Sequence, residues 1–369
     1  MKRVLGLLFL LPLLALADNK VEVGDINGAR FRIDQPEKWN GGLVVYCHGY
    51  SPTPQGFDPN GKLNPILQVF VDQGYALIQS GYAAGGWAIQ EAVVDTESLR
   101  RYFVKKYGAP KETYVTGHSM GGFITMVMME TYPTVYDAGM PLCGPLAPTT
   151  WFMARGAFDG RVLFDYYFPG VLPNPAKIPQ DFRNTKDVVA KVLAALNGAP
   201  EKAAILRRRD GTKTNEDLAG TVTFITDILR ELQARTGGNP FDNRNVIYNG
   251  TPDDNAVNGA VGRYESDPKA VAYMRAFYTP TGRIQKPMLA IHTSYDPVVP
   301  TWIPNMYESI ADQAGTSSLF VQQYVKHDGH CAITPQETAR GFSQLREWKS
   351  SGVRPKGGDQ ATSGGVNAN

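Results

Sequence analysis

The stretch Val115, Thr116, Gly117, His118, Ser119, Met120, Gly121, Gly122, Phe123 constrains this fold more than any other. Residues 117–121 fit G-x-S-x-G. The β-prone Thr113, Tyr114, Val115, Thr116 precede the motif. Phe123, Ile124, Thr125, Met126, Val127, Met128 and Met129 follow it, and their Met content predicts a buried helix. A strand that turns sharply into a helix needs glycine on both sides of the apex. A side chain at Gly117 or Gly121 would collide with the neighbouring strand or helix. The apical serine is expected to take a strained backbone conformation above the sheet. It then stands at a helix N-terminus, which favours developing negative charge.

A serine presented in this way needs a base, and the chain has five histidines: His48, His118, His292, His327 and His330. Phe320, Val321, Gln322, Gln323, Tyr324 and Val325 read as the last core strand, and His327 and His330 follow it. His330 is the expected base. It comes after Gly329, deeper in the loop, ahead of a helical pattern over residues 335–348. His327, two positions past the strand, is expected to support the loop. The acid should follow the preceding strand, Met288, Leu289, Ala290, Ile291, His292, Thr293, which leads to Asp296 before Pro297. One strand earlier the slot is closed, because residues 143–155 hold no Asp or Glu. Alone, Asp296 would read as an Asx-turn residue.

Leu43, Val44, Val45, Tyr46 and Cys47 form a strand that ends in His48, Gly49 and Tyr50. The glycine lets the backbone turn so that the next N–H faces a reacting carbonyl. The expected oxyanion donors are the N–H groups of Tyr50 and Met120. His48 is expected to be structural.

Together these pieces resemble an α/β-hydrolase of the serine esterase and lipase kind, with the G-H-S-M-G-G elbow of many bacterial carboxylesterases. The resemblance spans about residues 43–348. It implies attack by Ser119, general base catalysis by His330 oriented by Asp296, and an acyl-enzyme. It implies no cofactor and no metal. Strand, helix and strand patterns over residues 75–80, 90–106 and 113–116 agree with an α/β fold: a mostly parallel central sheet with helices on both faces. A serine peptidase of the prolyl aminopeptidase or oligopeptidase type is the alternative on the same fold. A catalytically dead binding protein is disfavoured because all three triad residues are present.

Residues 18–144 and 281–349 read as the hydrolase core, and residues 145–280 as a helical cap or lid inserted between two core strands. Aromatics crowd the start of the cap, including Trp151, Phe152, Phe158 and Phe164. More than half of these are expected to pack the lid onto the core. Helical spacing marks residues 185–196 and 218–236. Residues 239–262 are turn-rich, and Asp253, Asp254 and Asn255 read as a turn rather than a cation site. The expected substrate contacts are Trp87, from the glycine-rich loop after residue 80, Trp151 and His118.

Lys2 and Arg3, an apolar run over residues 4–14 and Ala15, Leu16, Ala17 read as a signal peptide over residues 1–17. The mature protein is expected to be secreted or periplasmic, without stable membrane association. Residues 350–369 are expected to be a disordered tail. The 37 basic and 35 acidic residues nearly balance, which argues against a nucleic-acid partner and leaves a small-molecule ester as the expected one. The three cysteines, Cys47, Cys143 and Cys331, leave open one disulfide or three thiols. Tannases and fungal-type feruloyl esterases join cysteines that flank Ser and His. His118 occupies the position before Ser119, so that clamp and that subgroup are not expected here.

Overall fold

The computed structural model describes residues 19–276 and 278–360. Strands β1 (Lys20–Ile26) and β2 (Ala29–Gln35) form a hairpin that sequence patterning left unassigned. Its two turn residues, Asn27 and Gly28, have φ of 55° and 88°. A two-residue turn with both φ positive matches the twist of the strands it joins. The expected alternation follows: β3 (Gly42–Cys47), α1 (Pro65–Asp72), β4 (Ala76–Ser80), α2 (Ile89–Tyr107), β5 (Glu112–His118), α3 (Met120–Thr131) and β6 (Ala138–Leu142).

The inserted segment is helical. Helix α4 (Thr149–Phe152) runs through a π-helical turn (Met153–Phe158) into α5 (Asp159–Tyr167). After it come α6 (Lys186–Gly198), α7 (Pro200–Asp210), α8 (Asn215–Thr236), α9 (Asp254–Ala260) and α10 (Pro268–Ala276). The longest, α8, starts in a capping box of Thr214 and Asp217 and stops at left-handed Gly237. The chain then returns to the sheet with β7 (Met288–Tyr295), α11 (Met306–Gln313), β8 (Phe320–Asp328), α12 (Pro335–Ser351) and β9 (Gly358–Asp359).

All nine described strands form one sheet, in the order β1-β2-β4-β3-β5-β6-β7-β8-β9. Pairing is antiparallel from β1 to β4 and parallel from β4 to β9. Alternation along β3 sorts the two faces. Leu43, Val45 and Cys47 pack with residues of α2 and α3, such as Leu99, Phe103 and Phe123. Val44 packs on the other side with residues of α1 and α12, such as Phe70, Phe342 and Leu345. Phe342 meets the rings of Phe70, Tyr75 and Tyr114 edge-on at about 5 Å. Each such buried ring contributes roughly 1.5–3 kcal/mol. Residues of the inserted helices such as Val192, Leu196, Leu229 and Leu232 join the α2–α3 cluster, so the insertion and the sheet share one continuous interior.

Two expectations change. Strand β8 runs on to Asp328, so His327 lies within the strand rather than after it. The C-terminal tail does not begin at residue 350: Ser350 and Ser351 end α12, and Gly358 and Asp359 pair with β8. Ladder hydrogen bonds to a preformed edge order a segment with little apolar content. Residues 361–369 and the signal peptide expected over residues 1–17 lie outside the described residues. No helix among the described residues is long and apolar enough to cross a membrane.

Candidate active site

Ser119 sits between β5 and α3 with φ 57° and ψ −121°. A non-glycine residue at positive φ is strained, and such strain persists only where its surroundings over-determine it. Those surroundings are close-packed backbone. A Cβ at Gly117 would stand 2.4 Å from the Cys47 carbonyl oxygen, and one at Gly121 would stand 1.9 Å from it. Neither glycine can carry a side chain unless β3 moves. The Ser119 N–H donates to the Leu142 carbonyl at 2.9 Å, which ties the turn to β6.

Three side chains meet here in one hydrogen-bonded line. His330 Nε2 lies 2.8 Å from Ser119 Oγ, and His330 Nδ1 lies 2.7 Å from Asp296 Oδ2. A carboxylate only accepts, so Nδ1 carries the proton and Nε2 is left to accept from the serine hydroxyl. Asp296 Oδ1 accepts from the N–H groups of Val298 and Val299, at 2.9 Å each. The Asx-turn role and the orienting role thus coexist on the two oxygens of one carboxylate. Burial alone would raise the Asp296 carboxyl. The His330 hydrogen bond and charge, the Val299 N–H and nearby His292 outweigh it and hold the carboxyl below its ordinary value. His330 is held by its loop: the Gly329 N–H donates to Tyr295 O at 2.9 Å, and the Thr293 hydroxyl donates to Gly329 O at 3.1 Å. His327 turns instead to Glu337 Oε1, at 3.0 Å.

Tyr50 and Met120 both border the cavity that opens at Ser119. Met120 opens α3, so its N–H has no acceptor within the helix. Gly49 brings the Tyr50 segment over the serine; a Cβ there would be 3.4 Å from Ser119 Cβ. The His48 ring stacks on Tyr82 at 3.9 Å, and burial lowers its pKa to about 4.

The cavity has a volume of about 270 Å³ and lies between the sheet and the inserted helices. Trp87 lines it, with Phe152, Phe224, Ile228, Val298 and Trp302 among the apolar walls. Trp87 Nε1 and Tyr50 Oη are buried without a hydrogen-bond partner. The π-helical turn contributes Met153, Gly156 and Ala157 to the wall. Such turns recur at functional sites.

Two expected contacts fall elsewhere. Trp151 is not among the lining residues. It is 37% exposed and packs edge-on against Trp302 at 5.1 Å, and Trp302 is the tryptophan that reaches the cavity. The shift follows from α4, whose buried positions are Thr149 and Phe152, so Trp151 falls on the outer face. His118 also misses the cavity, because alternation along β5 sends its ring to the Tyr46 hydroxyl, 3.3 Å away. Burial, with the charge of His330, lowers its pKa to about 4. Asp253 accepts from the Ala256 N–H at the start of α9, and Asp254 accepts from Thr251. No group of three or more His, Cys, Asp or Glu among the described residues is placed to hold a metal ion.

Cys143 and Cys331 are disulfide-bonded, and Cys47 is a buried free thiol. Cys331 follows His330, as in the clamp described above, but its partner lies just beyond β6 instead of before the serine. The parallel register sets His118 beside Leu142, so a cysteine one step past β6 reaches the place beside Ser119. The Ser119 N–H stands 3.3 Å from Cys143 Sγ.

This strand order, with a serine elbow fed by β5 and its partners at the carboxyl ends of β7 and β8, puts the chain among the α/β-hydrolases. Within that class it belongs to the Tannase-like family of unknown function (DUF6351), whose profile matches residues 27–261. Among curated proteins, acetylxylan esterase A of Aspergillus ficuum is 30% identical over 118 residues, covering 28% of this chain and 38% of that protein. The probable acetylxylan esterase A of Aspergillus niger is 28% identical, with the same coverage. The chain thus aligns with little more than a third of the curated relatives it matches. Among solved structures, feruloyl esterase B from Aspergillus oryzae aligns with TM-score 0.48 and 14% identity, over 90% of this chain and 80% of that one. Est1E from Butyrivibrio proteoclasticus aligns with TM-score 0.45 and 14% identity, over 88% and 98%.

Proposed function

We propose that this protein is an exported serine esterase, cleaving carboxylic esters that carry an apolar or aromatic group. The observation that carries the reading is His330, whose two ring nitrogens lie within 2.8 Å of Ser119 Oγ and Asp296 Oδ2. Ser119 Oγ attacks the ester carbonyl carbon, and its proton passes to His330 Nε2. The tetrahedral oxyanion is received by the N–H groups of Tyr50 and Met120. Collapse breaks the bond to the alcohol oxygen, which leaves with the proton from His330. Water then attacks the acyl-enzyme, with His330 again taking and returning a proton, and the acid departs. Asp296 keeps the ring in the tautomer that can accept.

The apolar cavity walls suit a bulky acyl or alcohol group. The esterase names of the curated relatives support the reaction class. The Cys143–Cys331 disulfide supports export, since such bonds persist in oxidising compartments. A fluorophosphonate probe tests the reading. It should label one peptide, the one that holds Ser119, and abolish hydrolysis in a panel of aryl and alkyl esters. Labelling elsewhere, or faster turnover of aminoacyl and prolyl amides than of any ester, would refute it.

A further inference from the structure

The segment that carries the Tyr50 N–H does not stand alone. Ser51 bridges to Gly86 in antiparallel fashion, and the Gly86 N–H donates to Ser51 O at 2.7 Å. The Gly86 loop is gripped in turn by α8 of the cap. Glu231 Oε2 accepts from the Trp87 N–H at 3.0 Å, and Arg235 Nη2 donates to Gly85 O at 2.5 Å. Arg235 also binds Glu231 at 2.7 Å and Glu91, on α2 of the core, at 3.1 Å. The Glu231 and Arg235 side chains are only 13% and 12% exposed. Their attraction is therefore little screened by solvent.

The fit is tight. A Cβ at Gly86 would lie 2.1 Å from Glu231 Oε1, and one at Gly85 would lie 2.4 Å from Pro52 O. Gly86 also has φ of 85°, a conformation open to glycine. Two turns of α8 before Glu231, Phe224 meets the Tyr50 ring edge-on at 5.6 Å. The cap helix thus holds Tyr50 twice: by its ring, and by its backbone through Ser51 and Gly86.

From this geometry we infer that Glu231 and Arg235 are positioning residues for the oxyanion hole, acting through the Gly86–Ser51 bridge on the Tyr50 N–H. The inference rests on the esterase reading above. A donor aimed at a developing oxyanion acts on the transition state and hardly on the bound ester. Loosening it therefore lowers kcat and leaves KM nearly alone. Loss of such a donor costs roughly 10²–10³ in kcat, so a displaced one should cost about tenfold.

The test uses the full-length protein with a short-chain aryl ester. Glu231→Ala should lower kcat about tenfold with KM within about twofold, and Glu231→Gln should lower it less. A boronic acid, which forms a tetrahedral adduct on the serine, should lose affinity in proportion to kcat. Lys213→Ala is the control: it frees the exposed contact of the cap with Asp328, and should leave kcat and boronate affinity unchanged. Lowered melting temperature with kcat and boronate affinity intact would show that the ion pair only holds the cap, and would overturn the inference. So would a loss confined to KM. A wild-type protein without esterase turnover or Ser119 labelling would instead fail the underlying reading, so the two failures are distinguishable.

Discussion

Cys143 and Cys331 are joined across 188 positions, and the bond lies against both ends of the Ser119–His330 contact. Cys143 Sγ is 3.3 Å from the Ser119 N–H, and Cys331 Sγ is 3.5 Å from His330 Nε2. The bridge thus covalently couples the His330 loop to the strand beside Ser119.

Thiol counting checks the pairing. Native protein should react with no thiol reagent, because Cys47 is buried and burial pushes its thiol up to about 12. Unfolded, unreduced protein should show the single Cys47 thiol, and reduced protein all three. Three thiols before reduction would refute the bond. Replacing both bonded cysteines with serine should cost about 3–5 kcal/mol in denaturant unfolding, as expected for release of so long a loop.

The roles of the two C-terminal histidines should separate cleanly. His330→Ala and Asp296→Asn should each lower kcat roughly 10⁴-fold, the second by favouring the wrong tautomer. His327→Ala, which releases only a contact with Glu337, should change kcat by less than about threefold, as expected for a partly exposed pair. A His327 variant as inactive as the His330 variant would reverse the assignment.

Acid should destabilise the fold through histidines buried in neutral form. His48 and His118 have folded pKa values lowered to about 4 from the ordinary 6.5, and burial lowers His292 as well. Between those limits the unfolded chain binds more protons, so stability falls as pH drops from 6.5 towards 4. Each group contributes a slope of up to ~1.4 kcal/mol per pH unit. Asp296 acts in the same sense at lower pH. Its lowered carboxyl pKa adds stability above the ordinary carboxylate range, and that stability is lost as pH falls through the folded value. Melting temperatures across this range should fall less steeply in His118→Gln. An unchanged slope would contradict the burial account.

Trp302, and not Trp151, should set substrate preference. Trp302→Ala enlarges a wall of the cavity and should shift the ratio of kcat/KM between bulky and short esters by about tenfold. Trp151→Ala removes an outer-face ring and should leave that ratio within about twofold. Kinetics of both variants on one ester series decide the matter, and equal shifts would place both rings at the substrate.

The sequence by itself determined the elbow, the order of serine, acid and base, and most of the sheet. These depend on short-range constraints. Glycine is required where backbone would meet backbone, apolar runs are required for strands buried on both faces, and the catalytic groups follow strand ends. Helices over residues 186–198 and 215–236 were legible by their spacing. Tertiary structure alone decided what depends on side-chain direction and distant partners. It paired Cys143 with Cys331, because parallel strands set β6 beside the elbow. It put Trp302 instead of Trp151 at the cavity, because only one face of a short helix points inward. It turned His118 towards Tyr46, and it brought Glu231 and Arg235 of α8 onto the loop behind Tyr50. Residues so far apart along the chain carry no local pattern that marks them as neighbours. Their contacts exist only once the inserted helices pack on the sheet and bury the ions and rings between them.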